Sequence, residues 1–423
     1  MNESDPIVVT GMGAVTPLGV GVATNWQRLT ASKSGIRHND RFDVTGLACQ
    51  IAGLVPSKAN DEHGFDPLDF VDPKDIKKMD VFIQYGLGAA QEALDQAGWK
   101  PETDGDREAT ATIIASGVGG FPNMTEAAHT VKERGARRLS PFIVPSFLAN
   151  MAAGWISIRH GLRGPLGTPV TACAAAAQAI GDGMRLIRAG EAEVAVVGGA
   201  EGSMDPVTIG GFSAARALAT SFNDRPTEAS RPFDKARDGF VLAEGAAVLV
   251  IEKLSHAMQR GAEPLATLAG YGTSADAYHL TASPANGEGA QRAMRLALKM
   301  GGIGPADVGY LNAHSTSTQI GDAAEIAAIA AVFANCGKQL AISATKSATG
   351  HLLGAAGGIA TIYTIMALRT GLLPPTLNLE DPDEAAAVFD LVAKTARAKE
   401  VAYALVNAFG FGGVNASLLV GRA

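Results

Sequence analysis

Short β-branched runs recur along the whole of this chain, at residues 7–10, 111–115, 194–197, 246–251, 309–312, 340–343 and 404–407, and they alternate with helical patterns. Alternation of this kind commits a chain to an α/β fold, because helical crossovers must cover the sheet that the strands build. The pattern also runs twice. Cys173 opens a small-residue stretch that closes at Arg188-Ala-Gly190, and His351 opens another that closes at Arg369-Thr-Gly371. A closing glycine is a helix stop in both. Upstream of each stretch an apolar strand runs into a Gly/Ser/Thr turn, Ile114-Ala-Ser-Gly in one case and Leu311-Asn-Ala-His-Ser-Thr in the other. A duplicated α/β unit, with catalytic groups from both copies meeting at the junction, is the simplest account. The charged segment after the strand at 246–251 places the boundary near residue 260, giving halves 1–260 and 261–423.

Composition agrees with a large buried core. At roughly 150 residues a domain, 423 residues make two to three domains. Hydrophobic residues are 47% and charged residues 18%, so much of the chain is interior. A net charge of −7 and a pI near 5.7 give no attraction to phosphate backbones, and nucleic acid is not an expected partner. The start Met1-Asn-Glu-Ser-Asp-Pro is acidic where a secretory signal begins basic, so the cytoplasm is the expected compartment. Three uncharged stretches, 140–158, 164–181 and 352–368, are broken by prolines or rich in Gly and Ala; they read as buried strands and helices, not as membrane spans. Cys49, Cys173 and Cys336 are odd in number and far apart, which suggests neither a disulfide framework nor a metal site.

Gly11-Met-Gly13 follows the first strand, but the third glycine of a dinucleotide fingerprint would fall at Thr16; it reads as a tight turn at the strand end. Cys173 precedes an alanine run, the best helix former, and so falls in the first turn of a helix. There the dipole and free N–H groups favour the nucleophilic thiolate. His314 directly follows a strand and His351 directly precedes a helix, the junctions where α/β folds place their sites. A cysteine and two histidines at matching junctions form an acyl-transfer constellation.

Four motifs carry these residues in order: Thr171-Ala-Cys173, Asn312-Ala-His314-Ser-Thr-Ser-Thr318, Thr345-Lys346-Ser-Ala-Thr-Gly-His351-Leu-Leu-Gly-Ala-Ala-Gly, and Asn407-Ala-Phe-Gly-Phe411-Gly-Gly. Together they resemble the elongating β-ketoacyl-acyl-carrier-protein synthases, closest to the synthase II type. The resemblance implies a thiolase fold, layered αβαβα from two similar halves, working as a homodimer with no bound cofactor or metal. The family has Gly where this chain has Ser315, and a Cβ there is expected to narrow the approach or to require a different backbone angle.

By that resemblance Cys173 holds the acyl chain, while His314 and His351 meet the enolate left when malonyl-carrier loses carbon dioxide. The N–H groups of Cys173 and Phe411 meet the second oxyanion. Lys346 and Glu325 organise the histidines, Glu325 on a helix expected to begin near Asp322. Thr316 and Thr318 hold the pantetheine arm, and Val118 and Phe212 line the acyl pocket. The carrier protein of the family is acidic, so a local basic patch must offset the charge of this chain; Lys74, Lys77, Lys78, Arg137, Arg138 and Arg216 resemble the docking positions. A thiolase would need a second cysteine near the carboxyl end, and residues 407–415 have none. A non-catalytic chain-length partner would lack Cys173. Housekeeping fatty acid synthesis is the default pathway, and polyketide or signalling-lipid synthases share these motifs.

Overall fold

The computed structural model of the chain describes residues 5–423; residues 1–4, most of the acidic opening, lie outside the described residues. The first half supplies β1 (Ile7–Thr16), β2 (Thr110–Ala115), β3 (Leu166–Gly167), β4 (Val194–Glu201) and β5 (Gly245–Lys253). The second supplies β6 (Ala266–Ala275), β7 (Val308–Asn312), β8 (Ala341–Ser343), β9 (Asp390–Leu391), β10 (Tyr403–Gly410) and β11 (Val414–Gly421). They hydrogen-bond in the order β3-β2-β4-β5-β1-β6-β11-β10-β7-β8-β9. The halves meet where β1 pairs antiparallel with β6, at Val8 opposite Thr267 and Val9 opposite Ala266. Outward from that seam, each half repeats one sequence of pairings, antiparallel, antiparallel, parallel, parallel. The repeat read in the sequence is thus a repeat of topology.

Helices fill three layers around the strands. α1 (Val81–Ala97) covers the outer face of the first half, α5 (Glu288–Gly301) that of the second, and α3 (Ala175–Ala189) and α7 (Ala356–Thr370) lie between the two faces. Strand periodicity sorts the side chains accordingly. In β5, Ala247, Leu249 and Ile251 join the central core with α3 and α7, whereas Ala246, Val248 and Val250 join the outer core with α1. In β10, Ala404, Val406 and Ala408 face inward and Leu405 faces the core under α5. The result is the layered αβαβα order. Gly190 and Gly371 end α3 and α7 in the left-handed conformation, as their sequence positions predict.

One expectation is corrected. Gly11 and Gly13 are no turn: both lie inside β1, and a Cβ on either would come within about 2 Å of the carbonyl of Ala93 or Ala89 in α1. Gly270 and Gly272 in β6 meet Ala297 and Ala293 of α5 in the same way. The glycines let a helix backbone lie directly on a strand, once per half. Strand β6 carries Gly, Ala, Ser and Thr among its apolar residues and β11 carries Asn, Ala, Ser and Gly, which hides them from a search for β-branched runs. The three uncharged stretches form strands, turns and helices, and no helix among the described residues is long and apolar enough to cross a membrane.

Candidate active site

A cavity of about 470 Å³ opens where the two halves meet, and Cys173, His314 and His351 all line it. Cys173 lies in a single 3₁₀ turn, Ala172–Ala174, just ahead of α3. The turn is strained open: Ala172 has φ 48°, a left-handed conformation that costs a non-glycine residue about 1 kcal/mol or more. It presents the sulfur to two main-chain N–H groups, its own and that of Phe411. Gly410 makes this approach possible, since a Cβ there would stand 2.7 Å from the Thr171 carbonyl and 3.2 Å from the Cys173 nitrogen.

The surroundings of Cys173 oppose the expected thiolate. Cys173 is half-buried, its open side facing the cavity, and burial pushes its thiol up to about 12 against the pull of the Lys346 ammonium. Loss of water around the sulfur outweighs one turn of helix dipole, because desolvation penalises the charged form directly. The resting nucleophile is a neutral thiol.

His314 follows β7 and His351 precedes the 3₁₀ turn Leu353–Ala355 that leads into α7. Their rings stand 5.6 Å apart at 80°. The His351 main-chain N–H donates to the Val241 carbonyl at 2.8 Å, and the ring packs edge-on to Phe240 at 5.3 Å. Burial, with the nearby Lys346 charge, holds both imidazoles well below their usual range, so both are neutral. His314 Nδ1 and both ring nitrogens of His351 are buried without a hydrogen-bond partner among the described residues. Unpaired buried donors and acceptors are costly, and these face a cavity.

Glu325, 2% exposed, lies in α6 (Gln319–Val332), which begins three residues before the expected start. Its carboxylate accepts from the His314 N–H at 2.9 Å, the Ser315 N–H at 2.6 Å, the Ser315 hydroxyl at 2.7 Å and the Asn407 amide at 3.0 Å. Ser315 therefore adds a donor, and its φ is not positive, so no special backbone angle was needed. Asn407 escaped the sequence reading as a site residue, although it opens the last of the four motifs. Lys346, 5% exposed, starts a short helix, Lys346–Thr349. Burial lowers its ammonium to about 8, opposed by Glu325 and Cys173. Neither Lys346 nor Glu325 is a solvated surface group.

Thr316 and Thr318 line the cavity with their hydroxyls 3.2 Å apart. Val118 and Phe212, the latter in α4 (Pro206–Ala214), line it too, and Phe212 lies 6.4 Å from the Phe411 ring. Arg216 is at the same cavity. Of the other basic candidates, Lys74 pairs with Asp72 at 2.9 Å and Lys78 with Asp75 at 2.6 Å, while Lys77, Arg137 and Arg138 are exposed and form no ion pair among the described residues. Lys78 also lies 5.2 Å over the Phe142 ring, and the Asp80 carboxylate accepts from the Asn123 N–H at the start of α2 (Phe121–Arg134). The two basic segments are thereby neighbours. No cluster suited to a metal ion occurs among the described residues.

Two family models match the chain, one described as the beta-ketoacyl synthase N-terminal domain over residues 4–257 and one as its C-terminal domain over residues 265–380. The chain is 46% identical over 416 residues to a 3-oxoacyl-[acyl-carrier-protein] synthase 2 of Rhizobium meliloti, covering 98% of both. It is 46% identical over 415 residues to the enzyme of the same name from Vibrio harveyi, covering 98% of this chain and 97% of that one. Among solved structures, a beta-ketoacyl synthase from Burkholderia phymatum superimposes with a TM-score of 0.90 at 32% identity, over 99% of this chain and 100% of the other. A ketosynthase solved in complex with its type II polyketide synthase acyl-carrier protein gives 0.88 at 30% identity, with 99% of each chain covered. Fold, motif order and these likenesses agree over the whole length, and the chain belongs to the beta-ketoacyl synthase family.

Proposed function

We propose that the protein condenses an acyl group with malonyl-carrier protein, releasing carbon dioxide and giving β-ketoacyl-carrier protein, in fatty acid chain elongation. The observation that carries this reading is one cavity holding a thiol beside two main-chain N–H groups together with two neutral histidines whose ring nitrogens lack partners. In the first half-reaction the Cys173 sulfur attacks the acyl thioester, and its proton leaves with the carrier thiol. The tetrahedral oxygen is met by the N–H groups of Cys173 and Phe411. In the second, malonyl-carrier loses carbon dioxide and its electron pair becomes an enolate, whose oxygen takes hydrogen bonds from His314 and His351. The enolate carbon attacks the acyl-Cys173 carbonyl, the carbon–sulfur bond breaks, and the sulfur recovers a proton from water. Neutral imidazoles can perform this task, since each still carries one N–H to donate.

Glu325 fixes the His314 main chain, and Lys346 supplies a positive charge that acts on Cys173 and on both histidines. Thr316 and Thr318 would hold the phosphopantetheine arm that brings each substrate, Val118 and Phe212 the acyl chain. The exposed Lys77, Arg137 and Arg138, with Lys74, Lys78 and Arg216, would dock the acidic carrier protein. No bound cofactor or metal enters the scheme. A homodimer is supported by exposed Met124, Val144, Leu148 and Ile158 in the region leading to the edge strand β3, itself carrying exposed Leu166; the cytoplasm is the proposed compartment. The division into halves 1–260 and 261–423 is part of the same reading. Fatty acid elongation is preferred to a polyketide or signalling-lipid pathway by the names of the relatives at 46% identity.

Cys173→Gln separates the half-reactions, because its amide oxygen can sit where the acyl-thioester oxygen would. The variant is expected to release carbon dioxide from malonyl-carrier protein without forming β-ketoacyl product, and a further His314→Ala or His351→Ala should silence the release. Undiminished release from the variant lacking both histidines would overturn their assignment.

A further inference from the structure

We propose that Glu201 is a positioning residue of the acyl-transfer site: its carboxylate fills, in the second half of the duplicated fold, the anion-binding turn that corresponds to the Cys173 turn of the first, and so locks the pocket wall at Gly117 to the turn that follows His351. The inference rests on the condensing function proposed above.

The correspondence comes from the repeat. The turns Ala172–Ala174 and Leu353–Ala355 each open with a non-glycine residue in the left-handed region, Ala172 at φ 48° and Leu353 at φ 45°, and each leads into a small-residue helix, α3 or α7. Cys173 and Gly354 occupy the same place in the two turns. The strand ends beside them also match: β4 ends at Glu201, paired with Gly245 at the start of β5, and β10 ends at Gly410, paired with Val414 at the start of β11. Glu201 therefore corresponds to Gly410. Beside Cys173 the position is empty of side chain, which leaves the main-chain N–H groups free for an oxyanion. Beside Gly354 it carries a carboxylate.

That carboxylate is held as a reaction oxyanion would be, by main-chain donors and hydroxyls, with no ion pair to a cation among the described residues. One oxygen accepts from the Gly117 N–H at 2.7 Å and the Gly354 N–H at 3.0 Å. The other accepts from the Ser203 hydroxyl at 2.8 Å and the Ser116 hydroxyl at 3.3 Å. Glu201 is 0% exposed. Gly117 is from the first half and borders the cavity next to Val118; Gly354 is from the second, next to Leu353, which also lines the cavity. The two backbones touch, since a Cβ on Gly354 would stand 2.2 Å from the Gly117 nitrogen. The carboxylate is thus the clasp that bridges the acyl pocket and the His351 segment. Its charge also reaches Cys173, whose thiol it helps to hold up.

The test uses the full chain with Glu201→Ala and Glu201→Gln. The Ala variant is expected to lose roughly tenfold to a hundredfold in kcat for condensation, the scale of a small misplacement at a reacting centre, with the KM for carrier substrates nearly unchanged. Added formate should recover part of that rate by occupying the vacated cradle. The Gln variant should recover most of it, because its amide oxygen can accept the two N–H bonds while its NH₂ donates to the two hydroxyls. In both variants alkylation of Cys173 by iodoacetamide should shift to lower pH. A wild-type kcat in the Ala variant, a loss that neither Gln nor formate repairs, or an unmoved alkylation profile in the well-folded Gln variant would each overturn the proposal. If the wild-type protein makes no β-ketoacyl product, the condensing reading fails instead, and the alkylation shift still decides the place of Glu201.

Discussion

A neutral resting thiol changes what can be expected of Cys173. With its pKa pushed up to about 12, the thiolate share is small at neutral pH and grows about tenfold per pH unit. Alkylation by iodoacetamide, followed by mass spectrometry, should climb with that slope up to the region of pH 8. Above it Lys346, lowered to about 8, sheds its charge and its pull on the thiolate, so the slope should flatten; a plateau already at pH 7 would contradict the burial argument. Cys49 and Cys336 should label more slowly because they are buried. Ser315 gives a second expectation. Its hydroxyl is one of four donors to Glu325, and a hydrogen bond to a charged acceptor contributes about 1.5–3 kcal/mol. Ser315→Ala should lower unfolding stability by that order while leaving the two main-chain bonds in place, as denaturant titration would measure. The chemical groups of the site were legible because each sits in a short motif at an element end. Their ionisation was not, since it depends on burial by segments distant in sequence.

At the scale of elements, the glycines of β1 and β6 are packing devices. Gly13→Ala would drive a methyl group into the Ala89 carbonyl at 1.9 Å, and α1 would have to lift from its strand. A loss of roughly 1–3 kcal/mol or more is expected, the scale of an overpacked core, and Gly272→Ala against Ala293 at 2.0 Å should cost a similar amount. Thermal melts of the two variants compare the halves directly. Strands such as β4 and β5, rich in Val, Leu and Ile, were visible in the sequence at once. The expected turn at Gly11-Met-Gly13 failed because glycine within a strand can signal a close neighbour as well as a bend. Glu201 was invisible for a related reason: it follows Val-Val-Gly-Gly-Ala at a strand end, and only the repeat of topology gives its position meaning.

The whole molecule carries a charge of −7, so the approach of an acidic carrier protein depends on where the unpaired cations lie. Lys77→Glu combined with Arg137→Glu should raise the KM for carrier-bound substrates several-fold and weaken its salt dependence, leaving short pantetheine thioesters unaffected. An equal loss on both substrate types would point to a damaged fold instead. The alternation of strands and helices made the α/β class and the doubling legible, but not the strand order, which is set by pairings between distant segments. One of those pairings has a cost in time. β1 lies between β5 and β6, and neither is synthesised until more than 200 residues after it. At about 5–20 residues per second a ribosome takes roughly ten seconds or more to deliver them. Throughout that interval the newborn chain carries a mostly apolar strand, every residue of which is buried in the finished fold, with both edges open except where Val15 and Thr16 pair locally with Val20 and Gly19, so the protein is expected to be a heavy client of chaperones that hold nascent chains, and slower translation should lower its soluble yield.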